Sequence, residues 1–319
     1  MFTRRKLLRL AGGAAMLNIL PRAARATGIR VETGPAFGSA WRLVLPETME
    51  AAGARARLEA VVARIDALMS PFRPDSELAR FNVAGAAVLS RETGHVAGAA
   101  LALARDSDGA FDPTMAPLGR RYGFGPPAIS AARPAGQYRD LSIAGDSLIS
   151  AYPGLSLDLC GIAKGHALDE ITRALEGLDF LVELGGEVAA RGRHPSGRPW
   201  RAGIERPGTN VLQRIVELDG RALATSGDAA QGYVVGGRRY AHVMDPRSRT
   251  PVDNGVASVS VLAATGLMAD GLATAAMVLG PQDTRPLLKA HEASALFLMR
   301  GPGGLEEVDV GGFISGGTS

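Results

Sequence analysis

"LDLCGIAKGHALDEI" (residues 157–171) is the stretch on which the reading turns. An apolar, strand-like run reaches Asp158. Two glycines, Gly161 and Gly165, and Lys164 follow, and the spacing over 163–176 predicts a helix. A carboxylate, a glycine-bearing turn, a lysine and a helix start therefore fall within residues 158–164. Glycine lets backbone N–H groups approach an anion closely, and a helix N-terminus adds favourable partial charge. Lys164 stands where it can neutralise a phosphate, whereas Asp158 suits a base edge, a ribose hydroxyl or a cation. The spacing is not that of a Walker A loop. Taken alone, the stretch is equally a tight strand-to-helix corner capped by Asp158.

The flanking sequence sets the class. Residues 39–45 read as a strand, and residues 50–69 as an amphipathic helix carrying Leu58, Val61, Val62, Ile65, Leu68 and Met69. A polar loop follows at 70–82, where Asp75 or Ser76 would cap a short helix. Residues 94–106 are helical in pattern, 108–120 form a Pro/Gly-rich loop, and 123–137 form another Gly/Pro/Ala-rich connection. From 147 to 263 short apolar runs alternate with turns, "LSLDL" (155–159) among them, which predicts a sheet-rich half. Helices over 267–279 and near 283–291 and a strand over 295–299 complete the order, ahead of a Gly-rich tail at 311–319. That order is mixed rather than strictly alternating, so the class is α+β. With no linker and no internal repeat, residues 27–319 form a single domain of mixed, mainly antiparallel sheet with flanking helices.

Residues 1–26 stand apart. They have a basic start, a mildly apolar stretch from Leu7 to Leu20 and a small-x-small site at Ala24-Arg25-Ala26, the layout of a signal peptide. Thr3-Arg4-Arg5-Lys6-Leu7-Leu8 marks the twin-arginine type. The apolar part is too short to span a bilayer, which takes roughly 20 residues. Removing the six positive charges of this segment takes the net charge from +3 to −3. The basic character thus belongs to the signal, and no aromatic-interleaved basic patch supports nucleic-acid binding. A periplasmic protein with no stable membrane insertion is expected. Its one cysteine, Cys160, leaves no internal disulfide.

Further clusters carry chemistry. Asp270 and Thr274 stand four apart on an otherwise apolar predicted helix, hence on one face. A buried carboxylate needs a partner, and a carboxylate beside a hydroxyl suits a hard cation such as Mg²⁺. Alternatively Asp270 caps that helix and Thr274 packs in the core. In "YAHVMDPRSRTP" (240–251), His242 lies at a strand end, ahead of Asp245-Pro246. It is a general-base candidate or a surface histidine before a turn. In "GAFDPTMAPL" (109–118), Phe111 is placed to stack on a ring and Asp112-Pro113 starts a turn. No nucleophile elbow and no zinc spacing are present.

The order of the clusters is more specific than any one of them. "MSPFRPDSELARFN", "GAFDPTMAPL", "LDLCGIAKGHALDE", "VELGGEVAARG", "ALATSGD", "HVMDPRSRTP" and "SVSVLAATGLMADGLATAAMVLG" together resemble the ApbE family of flavin transferases, from about Phe37 to Gly280. The resemblance implies an α+β fold that takes FAD as substrate with Mg²⁺ as cofactor. It implies transfer of the FMN half of FAD to a Thr or Ser hydroxyl of an exported FMN-binding-domain protein, with release of AMP. Some relatives mainly hydrolyse FAD, so a periplasmic FAD pyrophosphatase and a non-catalytic flavin-binding assembly factor stand as alternatives.

By position, the resemblance assigns the metal to Asp270, Thr274 and an oxygen of the Gly161-Ile162-Ala163 turn. It assigns FAD contacts to Asp158 and Lys164, the flavin and adenine pocket to Phe37, Phe72, Ala110, Phe111 and Asp112, the base to His242, and support of that loop to Asp245. Three positions depart from the family pattern. Phe37 stands for a usual Met and is expected to keep flavin packing. Cys160 stands for Gly, and Arg249 for a Gly in the loop after His242, where a disturbance of the loop and weaker transfer are expected.

Overall fold

In the computed structural model, Leu43 and Leu45 face one side of strand Ser39–Pro46 and Val44 the other, as a side-chain period of two requires. The same split recurs at Val182 against Leu181, at Ala222 and Ala224 against Leu223, and at Val261 against Leu262. The structure describes residues 28–125, 137–152, 154–229, 232–236 and 238–313. The expected signal over 1–26, most of the 123–137 connection and most of the Gly-rich tail lie outside those residues.

These alternating strands build one eight-stranded sheet. Its spatial order is Ile29–Ala36, Ser39–Pro46, Phe180–Leu184, Glu187–Arg191, Ala222–Gly227, Val256–Ala263, Ser294–Gly301 and Gly304–Val310. Every neighbouring pair is antiparallel. Among the described residues, seven α-helices accompany it: α1 (Ala51–Met69), α2 (Glu77–Ala84), α3 (Arg91–Asp106), α4 (Ala116–Arg121), α5 (Ala163–Ala174), α6 (Gly266–Asp283) and α7 (Arg285–Ala290). α1, α5 and α6 bury their apolar faces with Leu43, Val182 and Val261 in the main core. The opposite sheet face packs under the ribbon Trp200–Glu205/Leu212–Leu218, with Trp200, Ile204 and Val216 against Leu181, Leu223 and Leu262. Strand Val256–Ala263 is buried along its whole length because both its faces are covered. The fold is thus the expected α+β class, with its sheet sandwiched between helices and a β-ribbon.

Three differences from the sequence reading have physical causes. Residues 155–159 form no ladder; their side chains Leu155, Leu157 and Leu159 are buried, but the backbone is held by Asn82 and Pro113 instead. Asn82 exchanges two hydrogen bonds with Leu157, of 2.9 and 2.7 Å, as a strand neighbour would. Helix α4 sits inside the 108–120 loop, with a proline at its start, where the missing N–H costs nothing. The two outer strands, Ile29–Ala36 and Gly304–Val310, escape the sequence reading because edge strands carry exposed polar residues that blur alternation.

Candidate active site

The corner at 157–171 is built by backbone proximity. Helix α5 begins at Ala163 and crosses α6 where both present glycine: a Cβ on Gly165 would lie 2.1 Å from the Gly266 carbonyl oxygen. That approach is possible only without side chains. It brings Asp270, 3 % exposed, to the start of α5, where its Oδ2 accepts the Gly165 N–H at 2.9 Å. One turn further along α6, the Thr274 hydroxyl donates to the Gly161 carbonyl at 3.3 Å. Asp270 and Thr274 of α6 thus both face the turn and helix start at residues 161–165. Asp270 does not cap α6. Thr265 does, accepting from Met268 N at 3.2 Å, while Asp169 of α5 accepts the Gly266 and Leu267 N–H groups at 2.6 and 2.9 Å.

Lys164 pairs with Glu187, a residue the sequence reading does not single out. Glu187 follows the Gly185-Gly186 turn and is 1 % exposed, and its Oε2 has no hydrogen-bond partner. Burial pushes the Glu187 carboxyl up to about 8, against the pull of Lys164 and with the charge of Asp270 adding to the rise. Burial likewise raises Asp270, opposed by Lys164 and the Gly165 N–H. Burial disfavours the Lys164 ammonium, but Glu187 and Asp270 together outweigh it and hold the ammonium above the usual lysine range. Two buried carboxylates therefore share one ammonium. The two carboxylates, the orphaned Glu187 oxygen and the all-oxygen donors fit a hard divalent cation, whose charge would favour the ionised carboxylates. The signal in the sequence was the carboxylate placed directly after a Gly-Gly turn.

Asp158 combines both readings of the opening stretch. Its Oδ1 accepts the Cys160 N–H at 2.9 Å, as a cap would, and its carboxylate also faces the Cys160 thiol. Cys160 is exposed and has no left-handed backbone, so a side chain at this family glycine position costs little. The tight position is Gly161, where a Cβ would meet Thr274 Oγ1 at 2.9 Å and the Phe111 ring at 3.4 Å.

The other expected pocket residues divide. Ala110 and Phe111 are 2 and 3 % exposed, so their side chains belong to the core and Phe111 backs the Gly161 turn. Both carboxylate oxygens of Asp112 are engaged: Oδ1 takes the Thr114 N–H and hydroxyl at 2.9 and 2.7 Å, and Oδ2 the Tyr138 N–H at 3.1 Å. Its part is to clamp the loop. Burial raises its pKa against those same bonds. Phe37 and Gly38 form the two-residue turn between the first two strands with φ of +49° and +75°, and Phe37 leans on the core. A Cβ on Gly185 would lie 3.5 Å from Ser39, so this turn adjoins the Gly-Gly turn of Glu187. Phe72 is 66 % exposed in the loop after α1, and no ring contact joins it to the group.

His242 occupies a neighbouring group. Its ring meets Phe124 edge-on at 6.4 Å, and Phe124, Tyr233 and Tyr240 stack in series at 5.4 and 5.2 Å. Met115, Leu118 and Met244 join that group to the Asp112 loop. Asp245 holds the loop, accepting Arg247 N on Oδ1 and Arg249 N on its carbonyl, both at 2.8 Å. Arg249 has φ of +59°, the left-handed backbone that glycine adopts freely. An arginine here therefore carries backbone strain. No described residue places His242 in direct contact with the Gly161–Thr274 group.

A second cluster was not anticipated. Glu92, His166 and Glu170 bring ligand atoms within 4.8 Å of one another. Arg64 already bridges its two carboxylates, at 2.8 and 3.0 Å.

With this geometry established, the comparisons are specific. The profile of the ApbE family matches residues 37–297. The FAD:protein FMN transferase of Vibrio cholerae is 32% identical over 296 residues, covering 86% of this chain and 89% of that protein. The one from Salmonella typhimurium is 32% identical over 295 residues, covering 85% and 84%. Among solved structures, the flavin transferase ApbE from Vibrio cholerae superposes with a TM-score of 0.79 at 30% identity, covering 89% of this chain and 98% of that one. The Pseudomonas stutzeri flavinyl transferase ApbE, apo form, gives 0.77 at 36% identity, covering 90% and 96%.

Proposed function

Because the chain belongs to the ApbE family, we propose that it is a magnesium-dependent FAD:protein FMN transferase acting on an exported acceptor. The observation that carries this reading is the convergence of the Gly161 carbonyl, Asp270 and Thr274 beside the Lys164–Glu187 pair. Those three oxygens would hold Mg²⁺, which supplies charge neutralisation at the pyrophosphate of FAD. Lys164 and the backbone at the start of α5 favour the same phosphates. Asp158, at the same corner, would accept from a sugar hydroxyl or a base edge. The acceptor is a Thr or Ser hydroxyl of an FMN-binding-domain protein. Its oxygen attacks the phosphorus of the FMN half, the bond to AMP breaks, and the proton passes to the His242 ring. Positioning and charge neutralisation are most of what phosphoryl transfer requires.

The twin-arginine layout of 1–26 supports a periplasmic location. Among the described residues no helix is long and apolar enough to cross a membrane.

The test is incubation of the mature protein with FAD, Mg²⁺ and an exported FMN-binding domain. In-gel flavin fluorescence on the acceptor is the expected result. Free FMN and AMP without labelled acceptor would indicate a pyrophosphatase, and bound but unreacted FAD an assembly factor.

A further inference from the structure

A cavity of about 470 Å³ opens beside α7, and Arg221, Arg285, Lys289, Glu292 and Ser294 contribute to its wall. None of these residues belongs to the site above. Arg285 and Lys289 stand four apart on α7 and so leave one helix face. Arg221 reaches the same space from the turn at Gly220, which has φ of +71°. Like charges at this helical spacing oppose each other, and a third cation adds to the repulsion.

No described residue relieves it. The side chains of Arg221, Arg285 and Lys289 make no hydrogen bond or ion pair with any described residue. The wall's one carboxylate, Glu292, also has no ion pair there. Ser294 is 3 % exposed and forms the floor beneath them. Three unpaired cations against one unpaired carboxylate leave net positive charge around one space.

We propose that this cavity binds a small phosphate-bearing anion with at least two negative charges. Two guanidinium groups present planar donor forks that match phosphate oxygens, and Lys289 adds a point charge. A water takes about 30 Å³ of the liquid. The space therefore exceeds a single phosphate and admits a diphosphate or a phosphate ester. The inference is independent of the transferase reading.

Inorganic pyrophosphate is the probe, titrated calorimetrically into the metal-free full-length protein at low salt. Arg221→Ala and Arg285→Ala should each weaken binding about tenfold, the size of one charge-assisted hydrogen bond. Pyrophosphate should also protect Lys289 from acetylation, read by mass spectrometry of the wild-type protein. Absence of binding, or unchanged affinity in both variants, would overturn the proposal, the latter by placing the anion elsewhere. An unprotected Lys289 would do so even if a variant failed to fold. Equal affinity for acetate would overturn the phosphate class.

Discussion

Gly165 and Gly266 meet backbone to backbone: a Cβ on the first would lie 2.1 Å from the carbonyl oxygen of the second and 2.7 Å from Asp270 Cβ. The reverse substitution is as crowded, with a Gly266 Cβ 2.5 Å from the Gly165 oxygen. No rotamer change relieves a clash with backbone. Gly165→Ala gains helix propensity of about 1 kcal/mol. Overpacking costs about 1–3 kcal/mol, with the upper end expected where backbone must move. A net loss of about 1–2 kcal/mol is expected in urea melts. Weaker Mg²⁺ binding should accompany it, because Asp270 is displaced from its place at the start of α5.

Asp270→Asn separates charge from packing. The amide oxygen still accepts the Gly165 N–H, so stability should change little. The anionic ligand is lost, however, and Mg²⁺-dependent FAD turnover should fall at least about a hundredfold. Asp270→Ala should abolish it. A Mg²⁺ titration of turnover in both variants checks this. An Asn variant with wild-type Mg²⁺ dependence would reject Asp270 as a ligand.

How much of this site could be read from the chain follows from what each residue does locally. Asp270 and Thr274 were legible because a helix fixes their common face, and Lys164 because a glycine-bearing helix start is a local pattern. Glu187 was not, since its partner lies on helix α5, 23 residues earlier in the chain, and a carboxylate in a strand start looks like any polar turn residue. The family resemblance placed Phe111 and Asp112 in the pocket, but only packing reveals that one side chain is core and the other a clamp. The central strands were legible from their alternation. The edge strands were not, because solvent removes the contrast between their faces.

Glu187 gives the protein a pH dependence of known sign. Its folded pKa, about 8, lies above the model-peptide value of 4.5. The folded state therefore holds a proton that the unfolded state has released across that window, and stability from this group is full below 4.5 and lost as pH rises through 8. Asp270, also raised, acts in the same direction. Urea melts at pH 5 and pH 8 without metal should show lower stability at the higher pH, by up to a few kcal/mol. Glu187→Gln should flatten the slope, and Mg²⁺ should oppose it by favouring the ionised carboxylates. A slope unchanged in Glu187→Gln would show that the carboxyl titrates normally.

Arg249 adopts φ of +59° between two backbone-anchored turns, a conformation that costs an L-residue about 1–2 kcal/mol. Arg249→Gly removes that cost but adds about 0.5–1 kcal/mol of chain entropy to the unfolded state. These two backbone effects favour the variant by up to about 1 kcal/mol, and loss of the guanidinium's own contacts opposes them, so Tm should change by no more than a few degrees. Because the Asp245 anchors do not involve the side chain, FMN transfer should be retained. A marked loss of transfer would assign the guanidinium a direct part in the reaction.

His242 is the residue whose role depends most on the acceptor. Its ring is set by Phe124 and its loop by Asp245, and neither contact requires FAD. His242→Ala should therefore leave FAD affinity near the wild-type value. Loss of a general base lowers the rate by about 10²–10⁴, and this should appear in transfer to the protein hydroxyl. Phe124→Leu tests positioning: it removes the edge-on ring contact without removing the base, so transfer should fall less than in His242→Ala. Measuring flavin binding by fluorescence and transfer by in-gel flavin signal on the same preparations separates the two effects. Full transfer in His242→Ala would move the base elsewhere, and lost FAD binding would make His242 a cofactor contact.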